Sequence, residues 1–67
     1  MNERFIYAVL EQKMQLGNWY WFHNDDRLGD DYEYIDLMHV LNMLGDEGWQ
    51  LAHSLGNDRY ILMKKIV

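Results

Sequence analysis

The chain has 67 residues, with no cysteine, no proline, ten aromatic side chains and a formal net charge of −5 at pH 7. A domain this small buries only about 60% of the surface its unfolded chain exposes, and without cysteine neither a disulfide nor a thiolate zinc site can reinforce its core. The acidic balance excludes a general nucleic-acid binder, whose affinity rests on Lys and Arg neutralising phosphates.

Stability is therefore expected from aromatic bulk, each ring burying about 150–250 Å², or from association as a homodimer or small oligomer. The first apolar run, Phe5 to Leu10, is too short to span a membrane and has no small-residue cleavage site after it. A cytoplasmic protein with no membrane partner is the expectation.

Residues Arg4 to Met14 alternate as a long strand, with Phe5, Tyr7 and Val9 on one face and Ile6, Ala8 and Leu10 on the other. Both faces begin apolar, which suits a strand near the middle of a sheet or one covered by a partner. Leu16-Gly17-Asn18 is turn chemistry, and Trp19 to His23 has high β propensity, so residues 4–23 read as a hairpin. Residues 24–36 form an acidic connector with six carboxylates, ending in Asp36 as the N-cap of a helix over 37–45.

Leu37, Leu41 and Leu44 recur at helical spacing with Val40 beside them, and Gly45 is the expected left-handed cap. After Gly48 the period changes to two, with Trp49, Leu51, His53 and Leu55 expected on one face. Gly56-Asn57-Asp58 then closes a C-terminal hairpin over 48–66. The expected fold is a single α+β domain, one helix packed on an antiparallel sheet of about four strands in ββαββ order.

The segments Phe5-Ile6-Tyr7-Ala8-Val9, Leu41-Asn42-x-Leu44-Gly45-x-Glu47-Gly48-Trp49-x-Leu51 and Tyr60-Ile61-Leu62-x-Lys64 resemble the domain of unknown function 4177 family, small bacterial and phage proteins. The resemblance covers the first strand and everything after Asp36, and its specific part is Gly-x-x-Gly-Trp-x-Leu. Between them the family commonly has a short connector, where this chain carries Leu16 to Ile35. The resemblance implies one helix on an antiparallel sheet and brings no catalytic residue with it.

Catalytic chemistry is not evident in the residues. The acidic connector fails the EF-hand template, because placing Gly29 at the sixth position puts Leu28 at the fifth and Ile35 at the twelfth. His23, His39 and His53 are not spaced as a metal pair on one element, although sheet folding could bring His53 near His23. Ser54 is the single serine, no glycine-rich phosphate loop follows a strand, and the paired carboxylates of the connector have no apolar surroundings to raise a pKa. No enzyme activity, cofactor or metal is expected.

Trp19, Tyr20, Trp21 and Phe22 are the anomaly, since a strand can aim only alternate residues at one core. Either the hairpin twists enough for both faces to meet the helix or the acidic connector, or one pair faces a partner. The leading expectation is a protein-binding module, a phage-type inhibitor or adaptor that contacts its partner through Trp19, Tyr20, Trp21, Phe22 and the carboxylates Asp25, Asp26, Asp30 and Asp31. The alternative is a sponge for a small nucleotide-like ligand, stacked on the aromatic rings and held by Arg4, Arg59 and Lys64. A third expectation is a self-associating structural accessory.

Overall fold

The computed structural model describes residues 3–29 and 36–66. Its elements are β1 (Phe5–Gln15), β2 (Asn18–His23), β3 (Asp26–Arg27), α1 (Leu37–Gly45), β4 (Trp49–Gly56) and β5 (Arg59–Lys65). The strands make one antiparallel sheet in the order β3-β2-β1-β5-β4. This corrects the expected fold, which had about four strands in ββαββ order. The additional strand lies inside the acidic connector, where Asn24 and Asp25 take positive φ (50° and 67°) and turn Asp26 and Arg27 back against His23 and Phe22. Two successive left-handed residues match the twist of the flanking strands, and Asn and Asp are the non-glycine residues that tolerate them best.

β1 organises the sheet through two offset partnerships. Its first part, Phe5 to Glu11, pairs with β5, and its second part, Leu10 to Gln15, pairs with β2. The overlap is only Leu10 and Glu11, so the two hairpins are staggered along β1. The resulting molecule is elongated, with principal extents of 48 × 22 × 19 Å.

Directly opposed residues of an antiparallel pair point to the same side. Ala8, Leu10, Trp21, Tyr60, Leu62 and Trp49 therefore share the face that carries α1, and Leu10, Trp21, Val40, Leu44 and Leu62 form the buried core. At about 1.5 Å per residue the nine-residue helix is roughly 14 Å long, against roughly 37 Å for the eleven-residue β1. One helix cannot roof this sheet.

Asp36 caps the helix as expected, its Oδ1 accepting the His39 backbone N–H at 3.0 Å. The other end corrects the reading of Gly45. Gly45 is the last helical residue, Asp46 continues right-handed (φ −63°, ψ −22°), and Glu47 and Gly48 N–H donate to Leu44 and Gly45 carbonyls at 2.9 Å. The left-handed residue is Gly48, at φ 98°. Tightened three-residue hydrogen bonds use up the last carbonyls and move the reversal to the second glycine.

β4 also departs from its expected alternation. Register shifts between Leu51 and His53 and between Ser54 and Gly56 place His53 opposite Ile61, while Leu51 stands opposite Leu62. His53 thus leaves the face of Trp49 and Leu51. His23 stays on that face, where its ring meets Trp49 edge-on with centroids 4.9 Å apart. β1 and β5 lie between their two strands, so the sheet curls towards the helix.

Candidate interaction surface

The aromatic block is mostly interior. Trp21, at 3% exposure, belongs to the core under α1, whereas Tyr20 and Phe22 face the opposite side and are nonetheless buried. On that side, away from α1, Arg27 lies 4.6 Å over the Tyr20 ring and Lys13 lies 4.3 Å over Phe22. The stems of these cations cover aromatic surface while their charged ends stay near solvent, combining apolar burial with cation–π attraction. Lys13 is held further by Glu11 and Asp25, at 3.6 and 3.4 Å, and Arg27 by a 3.4 Å hydrogen bond to Gln15. Tyr20, Trp21 and Phe22 are accordingly not surface anchors in this fold, which corrects their expected role as contacts. Trp19 remains 45% exposed.

Trp19 belongs to a different structure, the free end of the β1–β2 hairpin. β5 begins at Arg59 opposite Glu11, and the β3 register ends at Phe22 with Leu28 N–H still donating to the Trp21 carbonyl, so among the described residues β1 and β2 continue past both neighbouring strands as a two-stranded tip. At the tip Met14 and Trp19 are directly opposed, hence on one side, and Leu16 occupies the turn. Met14 is 59% exposed and Leu16 89%. Leu16 and Gly17 both have positive φ, 54° and 82°. For leucine this left-handed conformation costs roughly 1–2 kcal/mol, since Cβ crowds the following carbonyl. A bulky apolar residue is thus held out in solvent in a conformation it disfavours.

The expected acidic contacts are only partly described. Asp25 and Asp26 are exposed at the turn between β2 and β3, with Asp25 tied to Lys13. Asp30 and Asp31 lie outside the described residues. Asp58, in the β4–β5 turn, places a further carboxylate near the base of the tip, because its carbonyl accepts the Gln12 N–H at 3.1 Å.

The three cations of the ligand-binding alternative are not brought together. Arg59 lies on the face away from α1 with its Nε 3.7 Å from Glu11, Lys64 lies on the α1 face 5.7 Å from the centre of the Trp49 ring, and Arg4 precedes β1, its carbonyl accepting from Ile66 N–H. Among the described residues no ligand-sized pocket opens and no cluster of three potential metal ligands forms. No described helix is long and apolar enough to cross a membrane.

No family model, no curated protein and no solved structure matches the chain. The surface must therefore be interpreted from its own residues. Sequence reasoning singled out Trp19 and missed Met14 and Leu16. The available signal was Leu16-Gly17 in a two-residue turn, a position where Asn-Gly is favoured.

Proposed function

We propose that the chain is a non-enzymatic protein-binding module, an inhibitor or adaptor that inserts the β1–β2 tip into an apolar pocket on a protein partner. The observation that carries this reading is Leu16, 89% exposed at φ 54°. Its conformation works against folding and its side chain is not packed in the core, so the residue is better accounted for by a contact outside the chain. Met14 and Trp19 flank it on one side of the hairpin and enlarge the apolar surface, with Trp among the commonest anchors of protein interfaces. Asp25, Asp26 and Asp58 near the base suit a pocket with a basic rim, and they would speed encounter through electrostatic attraction.

Leu16→Asn separates binding from folding. Asn-Gly is the favoured sequence for this turn, so the variant should melt higher than the parent while losing most of its affinity for a protein that co-purifies with the parent. Trp19→Ala should also weaken that complex without unfolding the chain. A complex that survives both substitutions would place the contact elsewhere.

A further inference from the structure

The two outermost strands of the sheet are finished in opposite ways, while Phe5 to Ala8 of β1 has no partner strand on the β2 side among the described residues. On the β2 side, the closing strand β3 has two residues, both charged, and Asn24 then seals β1 at Val9: its N–H donates to the Val9 carbonyl at 2.8 Å and its Oδ1 accepts the Val9 N–H at 2.9 Å. Short strands, charges and side chains that satisfy edge amides all discourage pairing with another chain. The opposite boundary is β4, eight residues reading Trp-Gln-Leu-Ala-His-Ser-Leu-Gly, with no carboxylate, lysine, arginine or proline. From Gln50 to Gly56 every residue is exposed, including Leu51 at 47% and Leu55 at 45%. Its ladder with β5 is interrupted by two register shifts, between Leu51 and His53 and between Ser54 and Gly56.

We infer that β4 is the edge on which a second copy of this chain pairs, antiparallel about a two-fold axis, joining two five-stranded sheets into one of ten. The neutrality of the strand selects this occupant. In an isologous pair each residue near the axis meets the same strand, so any fixed charge there would face its like, and β4 has none in a chain with net charge −5. α1 packs beside β4. A standard interface of about 800 Å² per partner would take roughly a sixth of the 4789 Å² surface. The pairing uses neither Leu16 nor Trp19 and stands apart from the tip.

The test exploits the absence of cysteine. Sedimentation equilibrium of the full chain from about 10 µM to about 1 mM should show a species of twice the 8.2 kDa chain mass. Ser54→Lys should shift dimerisation to at least tenfold higher concentration, with a circular dichroism spectrum like the parent's. Single cysteines placed in turn at Leu51, Ala52, His53 and Ser54 should give a disulfide-linked dimer on mild oxidation, with yield peaking at the positions nearest the axis, whereas Met14→Cys should not. A chain that stays monomeric to 1 mM overturns the inference. So does a dimer unaffected by Ser54→Lys, or crosslinking no greater at β4 than at Met14. If Ser54→Lys disturbs the fold, the crosslinking profile alone decides.

Discussion

At the β4–β5 turn, Asn57 and Asp58 sit at φ 53° and 60°, and the Asp58 carbonyl ties the turn to β1 through Gln12. The β2–β3 turn repeats the solution with Asn24 and Asp25. At the β1–β2 turn the same geometry is adopted by Leu16 and Gly17, with the leucine projecting into solvent. Strand twist imposes two left-handed residues on all three turns, and in two of them the chain supplies side chains that tolerate the conformation. Where it supplies leucine instead, folding does not explain the choice. Leu16 alone among these six turn residues is of a type that disfavours the conformation it adopts.

The largest expected effect contrasts the two ends of one strand. Trp21→Ala should cost about 3–5 kcal/mol by removing a core ring, enough to unfold much of a small domain. Trp19→Ala, two residues away at the tip, should change stability by less than about 1 kcal/mol in the same urea titration. Equal losses would mean that the tip is structural. Next comes Gly48→Val, expected to cost about 1–2 kcal/mol because a β-branched residue must adopt φ 98° with its Cβ 3.3 Å from Lys64 Cε. Wild-type stability would show that the helix-to-strand junction can re-route. Smaller still is the turn exchange: Leu16→Asn should gain, and Asn57→Leu lose, about 1 kcal/mol. Thermal shifts of the same sign would remove the distinction between the turns.

The helix and the C-terminal hairpin were legible in the sequence because their signals are local. Asp36, the Leu37-Leu41-Leu44 spacing and the change of period after Gly48 each act within a few residues, although the left-handed residue itself was expected at Gly45. Trp21 was legible as one of an alternating pair, but the residues alone left open whether both pairs find cover within the fold or one pair faces a partner. Tyr20 and Phe22 are buried because Arg27 and Lys13 arrive from β3 and β1, and β3 depends on a turn hidden in a run of carboxylates. The stagger of the two hairpins along β1 was equally invisible, since it is set by pairing between segments as distant as Glu11 and Arg59. That stagger is what leaves Met14, Leu16 and Trp19 beyond the rest of the sheet.

The smallest expected effect concerns Asp36, which caps the N-terminus of α1. Its carboxyl is held below the usual carboxylate range, first by the hydrogen bond from the His39 backbone N–H and then by the His39 side chain, whose Nδ1 lies 2.8 Å away. A group with a depressed folded pKa stabilises the native state above its unfolded pKa, and that contribution is lost as the pH falls through the folded value. Asp36→Ala should therefore lower the melting temperature at neutral pH, and the difference from the parent should shrink steadily on acidification below the ordinary aspartate range. Asp36→Asn retains a capping oxygen without the titration, so its melting temperature should stay closer to the parent's at neutral pH. A gap between parent and alanine variant that does not change with acidification would locate the role of Asp36 in something other than its carboxylate.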